Sequence, residues 1–360
     1  MDSIVSFTTS VASISYLPKR RESARMKLLE LLGIEHPIIQ APMAGVTTPE
    51  FVAASSNFGV LGSIGAGYLS ADETREFIQA VKKRTERPIA VNLFVPEEMQ
   101  MEQELYEEAY EALQPIGAKL GMPLWDVTLS VSQFEQQLDV IIQEKVEVCS
   151  FTFGLPKPGD IKILKEAGVQ LIGTATSVEE ALAVEKAGLD AVVVQGSEAG
   201  GHRGSFIGLP LIPLQTLLQD VAKAVSIPVI AAGGIADAAR MNQMLTYGAQ
   251  AVQIGTALLA ARESGAHPLY KQAVLRAQAG STVLTDTFSG KMARGIHNEF
   301  IEMMQNARIA PYPVQNDLTK KIRSEAGKQG KPEFMSMWAG EQVHSTTEGT
   351  VEEILRKFIS

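Results

Sequence analysis

The chain has 360 residues, 45% of them hydrophobic and 20% charged, with a formal net charge of −9. An acidic balance of that size offers no broad basic face to a phosphate backbone, and no apolar run approaches the ~20 residues that span a bilayer. One cysteine, Cys149, leaves nothing for a disulfide framework or a cysteine-rich metal site. The expectation is a globular protein of a reducing compartment, by default cytoplasmic, with neither nucleic acid nor membrane as partner.

Met1 to Arg25 is rich in Ser and Thr and ends in a basic cluster of Lys19, Arg20, Arg21 and Arg25. A secretory signal places its charge before its apolar stretch, so the order here is wrong. The segment reads as a disordered leader, or as the product of an upstream start with Met26 as the functional one. One folded domain is expected over 26–360.

From Ile38 a unit repeats: a short β-branched run, a turn with glycine, then a helical pattern. The runs are Ile38–Gln40, Val60–Ile64, Ile89–Phe94, Val146–Phe153, Gln170–Thr174, Ala191–Gln195, Val229–Ala232 and Ala251–Ile254. They lack polar/apolar alternation, as strands covered on both faces of a parallel sheet do. Ser70–Glu73 and Ser177–Glu180 predict capping boxes, Thr48-Pro49 predicts a helix start, and Gly188 and Gly248 stand where helices end. Eight such units select a closed barrel or a doubly wound sheet. The first strand runs into Ala41-Pro42-Met43-Ala44-Gly45 rather than G-x-G-x-x-G, and glycines collect after late strands, at Gly200-Gly201, Gly233-Gly234 and Gly255. This predicts an α/β fold, a (β/α)8 TIM barrel.

Two stretches stand outside the repeat. About 96–145, after strand three, has room for two or three extra helices, and its seven glutamates between Glu97 and Glu111 read as a solvated helix face. After Thr256 some hundred residues resemble no further barrel unit. This C-terminal extension, about 265–360, is expected to pack on the barrel and partly cover its mouth.

Barrel enzymes carry their chemistry at the C-terminal strand ends. Here those ends hold Met43, Asn92, Thr152, Gln195, the stretch Gly200 to Gly204, Gly234 and Gln253-Ile254-Gly255-Thr256. Backbone N–H groups of Gly234, Gly255 and Thr256 suit a phosphate, and the amides of Asn92 and Gln195 suit the mixed edge of an isoalloxazine ring. The set makes a cradle for flavin mononucleotide (FMN). His202, expected on a glycine-flanked loop at the mouth, is the catalytic candidate, an imidazole able to act as base near neutral pH. His297, close to Lys291 and Arg294, has a lesser claim to the mouth. Those two cations can cover an anionic substrate or the flavin, or form ordinary salt bridges. No metal-ligand spacing occurs, and Cys149 is expected buried within a strand.

Several segments together resemble the nitronate monooxygenase family, formerly 2-nitropropane dioxygenases. They are Pro37–Met43, Gly62–Gly65, Val91-Asn92, Phe151–Pro156, Gln195–Gly204, Ile230–Ile235, Gln253–Thr256 and Phe288–Arg294. The resemblance implies FMN as cofactor, held by Asn92, Gln195, Gly200, Gly201, Gly234 and Gln253–Thr256, with Met43 near the ring. It implies oxidation of a nitronate, such as propionate 3-nitronate, by O2 through a flavosemiquinone to a carbonyl compound and nitrite. It also implies that His202 orients the substrate or takes a carbon-bound proton from a neutral nitroalkane. Many relatives have a second histidine where this chain has Thr152, which cannot act as a base near pH 7, so the anionic nitronate is the expected substrate. Flavin-dependent enoyl-acyl-carrier-protein reductases and NAD(P)H:quinone reductases share the scaffold and are the rivals. A flavin-binding module without turnover is the alternative from another class. Monomer and dimer remain equally open.

Overall fold

The structure, a computed structural model, describes residues 25–97 and 102–360. The expected leader thus lies, but for Arg25, outside the described residues.

Eight strands run parallel: β1 (Ile38–Gln40), β2 (Gly62–Gly65), β3 (Ile89–Phe94), β4 (Val148–Thr152), β5 (Gln170–Ala175), β6 (Ala191–Gln195), and, after a two-residue strand β7 (Gly201–His202), β8 (Val229–Ala232) and β9 (Ala251–Ile254). Their order is β1-β9-β8-β6-β5-β4-β3-β2. Ile39 bridges Leu61, Gln40 N–H donates to the Leu61 carbonyl at 2.9 Å and Leu61 N–H to that of Ile38 at 3.1 Å, so the two edges meet and the barrel closes. The second strand begins later than its β-branched run suggested: Leu61 makes a single bridge to Ile39, and the ladder to β3 starts only at Gly62.

Side chains alternate between two apolar environments, which is why no polar alternation was visible. Ile39, Leu61, Ala90, Val148, Ile172, Val193 and Ile230 point inward, where Leu28 and Leu32 of the helix 25–32 join them and stopper one end. Ile38, Val91, Cys149, Leu171, Val192 and Val252 point outward against the surrounding helices. An α/β barrel interior is a packed core of this kind rather than a pore.

The helix signals divide. Thr48 caps Pro49–Asn57 and Ser70 makes both halves of its capping box. Ser177 makes only one half: the Glu180 carboxylate instead accepts from Thr176, at 2.6 Å from its N–H and 2.8 Å from its hydroxyl, and from the N–H groups of Phe206 and Ile207. A buried carboxylate with four donors near it does more by tying the loop after β7 than by closing a local box. Gly188 and Gly248 end their helices with φ of +86° and +120°.

The extension corrects one expectation. Its last helix, Val351–Ile359, does belong to the barrel: Val351, Ile354, Leu355 and Phe358 enter the outer core, packed against helices Pro49–Asn57 and Ala238–Tyr247, where an eighth barrel helix belongs. Residues between Leu259 and Val343 form a second apolar core with the insertion. Helix Gln103–Lys119 buries Ala109, Leu113 and Ile116 in the same cluster as Leu318 and Ile322 of helix Val314–Lys328. The inserted helix and the extension therefore stabilise each other. The extension also contributes β10 (Thr282–Thr285) and β11 (Ala293–Ile296), which with β7 form a three-stranded antiparallel sheet.

Candidate active site

The C-terminal strand ends open into one cavity. Met43, Asn92, Thr152, Gln195, Gly200, Gly201, His202 and Gly234 line it, as do Gln253, Ile254, Gly255 and Thr256. Eight strands that close a barrel must bring their ends together, which is why positions far apart in sequence converge.

One end of the cavity is built of backbone. Gly233 and Gly234 have φ of +118° and +62°, the left-handed region that glycine enters at little cost. No acceptor among the described residues takes the N–H of Gly234, Gly255 or Thr256, so three residues of the lining carry unpaired donors. Free donors at the start of a helical turn form the setting that binds phosphate. The residues present therefore fit the phosphate end of a flavin mononucleotide. At Gly200 a Cβ would lie 2.4 Å from the Gly340 nitrogen and 2.5 Å from the Ala339 carbonyl carbon, so the extension lies directly on the glycine. Gly340 N–H donates to the Thr256 hydroxyl at 3.0 Å. Trp338, Gly340, Gln342, Ser345 and Thr346 thus complete the wall. The covering was expected, but these residues were not singled out, since nothing local marks them.

Two amides behave differently from the sequence reading. Gln195 donates from Nε2 to the His202 carbonyl at 3.0 Å and accepts from Gly204 N–H at 2.9 Å. Both ends of its amide are committed to holding the turn that carries His202. Arg203, fully buried, fixes the same turn by donating to the carbonyls of Gln195 and Gly196. Asn92 donates to Ser150 and, at 3.1 Å, to the Thr152 hydroxyl, leaving its carbonyl oxygen for the cavity.

His202 lies in β7 rather than on a free loop, with Ala293 of β11 as its ladder partner. Nε2 stands 2.8 Å from the Ser289 hydroxyl. Phe153 meets the imidazole edge-on at 5.7 Å, and Trp338 and Tyr312 lie at 5.3 and 6.3 Å. Phe153 sits at φ +74°, a conformation rare for a bulky residue, held where the chain leaves β4. The open part of the imidazole faces the cavity rather than bulk water. Burial first, then the charges of Arg323 and Lys291, push its pKa down to about 3. The imidazole is neutral near pH 7, and a weaker base than a histidine of ordinary pKa.

Lys291 and Arg294 do not line the cavity. Lys291 pairs with Glu97 and stands 4.4 Å over the Phe153 ring. Arg294 donates twice to the Ser197 carbonyl, at 3.1 and 3.0 Å, and pairs with Glu341 at 2.9 Å. Their proximity in sequence said nothing of direction: on β11 and its turn they point to different partners. His297, 3.7 Å from Glu302, also stays out of the lining. Tyr68 enters the lining unexpectedly, its ring edge-on to Phe94 at 5.3 Å. Cys149 is buried within β4, its thiol pKa pushed up by burial. Among the described residues no three His, Cys, Asp or Glu side chains converge to hold a metal ion, and no helix is long and apolar enough to cross a membrane.

Known proteins agree with this architecture. The chain is similar to the probable nitronate monooxygenase of Staphylococcus haemolyticus (strain JCSC1435), 46% identical over 341 residues that cover 92% of this chain and 96% of that one. The probable nitronate monooxygenase of Staphylococcus aureus (strain MRSA252) is 44% identical over 342 residues, covering 93% and 96%. Among solved structures, nitroalkane oxidase from Streptomyces ansochromogenes superposes with a TM-score of 0.87 at 37% identity, covering 92% of this chain and 96% of that one. FabK from Thermotoga maritima does so with a TM-score of 0.74 at 32% identity, covering 92% and 94%. The family model for nitronate monooxygenase matches residues 25–360, and with that match over the barrel, its insertion and its extension, the chain belongs to the nitronate monooxygenase family.

Proposed function

We propose that this enzyme uses FMN and O2 to convert alkyl nitronates, such as propionate 3-nitronate, to a carbonyl compound and nitrite, and that residues 26–360 act as one unit. The observation that carries the reading is the make-up of one cavity, whose lining joins unpaired N–H groups of Gly234, Gly255 and Thr256 to a neutral, half-buried His202. The backbone donors would hold the phosphate, with Gly200 and Gly201 allowing close approach. Met43, the Asn92 carbonyl oxygen, Gln253 and Ile254 would border the ring, and Gln195 would act through the His202 turn. Bound flavin supplies the electron acceptor that the side chains themselves lack.

The chain's own residues favour an anionic substrate. Arg323 and Lys291 both exert positive potential at His202, Arg323 with its Nε buried and without an acceptor among the described residues. A positive potential in a site shielded from water attracts a nitronate more than its neutral nitroalkane. The depressed His202 pKa and Thr152 in β4 both make proton abstraction the weaker route, which fits the same preference. Phe153 and Trp338 pack against the His202 ring and shield it from water. A single buried thiol and the absence of disulfides among the described residues fit a reducing compartment such as the cytoplasm.

The test is anaerobic. Purified protein should be yellow, and propionate 3-nitronate should reduce its flavin while NADH and NADPH leave the spectrum unchanged. Reduction by a nicotinamide with no response to the nitronate would overturn the reading and move the enzyme toward the reductases. The likeness to FabK makes that the second reading. Loss of turnover with retained flavin in His202→Asn would exclude a binding module.

A further inference from the structure

The Phe288–Arg294 stretch, read from sequence as a source of cations, holds a hydroxyl with a different task. Ser289 is 2% exposed and lies in the turn between β10 and β11. Gly290 fixes that turn. Its φ is +77°, and a Cβ there would lie 2.2 Å from the Ala310 carbonyl oxygen and 2.6 Å from the Tyr312 nitrogen. The Ser289 hydroxyl stands 3.1 Å from the Lys291 carbonyl, 3.4 Å from the Lys291 nitrogen and 2.8 Å from His202 Nε2.

A serine hydroxyl has one proton to donate and can accept two. Donated to the Lys291 carbonyl, it leaves Oγ to accept from Lys291 N–H and from His202 Nε2–H, and every proton in the group has an acceptor. Donated to Nε2 instead, it strands the Lys291 carbonyl, which has no other donor among the described residues. A polar group in a packed turn is rarely left so.

We propose that Ser289 is a positioning residue that fixes His202 as the Nε2–H tautomer and so leaves Nδ1 a bare acceptor in the cavity. This deepens the reading of His202 as the group at the substrate end and rests on it. Nδ1 then meets a ligand as a lone pair, suited to a C–H proton rather than to a nitronate oxygen. Ser289 thereby sets how far the enzyme can use a neutral nitroalkane beside its anionic substrate.

The holoenzyme labelled with 15N-histidine reads the tautomer directly from its long-range 1H–15N spectrum, with His202→Asn identifying the signal. The expected pattern has Nε2 protonated and Nδ1 bare, and a protonated Nδ1 overturns the proposal whatever the activity. In Ser289→Ala the pattern should shift toward the other tautomer. The ratio of nitroethane to ethyl nitronate turnover should fall about tenfold, less than the roughly hundredfold or more that a general base supplies, because the imidazole itself remains. Ser289→Thr, which keeps the hydroxyl, should restore both; an Ala variant with spectrum and ratio unchanged would also overturn it. Should the wild-type protein ignore nitronates, the functional reading fails while the spectrum still decides the tautomer.

Discussion

His202 shows most plainly how much a residue owes to its surroundings. From sequence it was an imidazole near neutral pKa; in place, burial and two cations hold it down at about 3 against an ordinary 6.5. The consequence for stability has a definite sign. As pH falls below 6.5 the unfolded chain takes up the proton first, so the contribution of neutral His202 is complete above 6.5 and is lost as pH falls toward 3. The slope is at most about 1.4 kcal/mol per pH unit, and the cavity-facing edge of the imidazole reduces it. His202→Asn carries no such proton in either state. Denaturant titrations between pH 6.5 and 5 should therefore show a shallower loss of stability in the variant than in wild type, whereas parallel curves would mean that the imidazole is not held neutral.

At the scale of elements, β11 and its preceding turn explain where the sequence reading went right and wrong. Phe288–Arg294 was legible as important, because its glycines and cations stand out. Its internal division of labour was not. Phe288 stacks on Phe300 at 4.1 Å, Ser289 faces His202, Gly290 presses on the 310–312 backbone, and Arg294 crosses to Ser197 and Glu341. Which way each side chain leaves a strand or turn depends on register, and the register of β11 is set by β10 and β7, one of them some ninety residues away. The Arg294 fork also predicts an outcome. Lysine keeps the charge but cannot donate twice to one carbonyl while pairing with Glu341. Arg294→Lys should loosen the Trp338–Thr346 cover and raise the rate at which flavin escapes on dilution several-fold, with unchanged far-UV circular dichroism. Flavin fluorescence follows the release, and an unaltered rate would show that the cover is held by other contacts.

Across the whole molecule, two cores carry the fold, one within and around the barrel and one between insertion and extension at its mouth. The helix 25–32 stoppers the interior with Leu28 and Leu32, 0% and 1% exposed. Leu28→Ala leaves a cavity in a place that cannot collapse, because closed strands surround it. The expected cost is about 2–5 kcal/mol, read from the denaturation midpoint. A change of less than ~1 kcal/mol would mean that the helix is an accessory rather than a stopper.

What the sequence by itself determined was the repeat and its consequences. Apolar runs, caps and late glycines are local signals, and eight of them in alternation admit few architectures, so the barrel and the strand ends carrying Met43, Asn92, Gln195, His202, Gly234 and Gln253–Thr256 were legible. Contacts between distant segments were not. That Val351–Ile359 supplies the eighth barrel helix, that Gly340 lies on Gly200, that Gln195 spends its amide on the His202 turn, and that Ser289 faces Nε2 are all decided by closure of the barrel and docking of the extension. Those contacts follow from which buried surfaces and hydrogen-bonding groups can be satisfied together in three dimensions, a condition imposed by the whole packing rather than by any single stretch of chain.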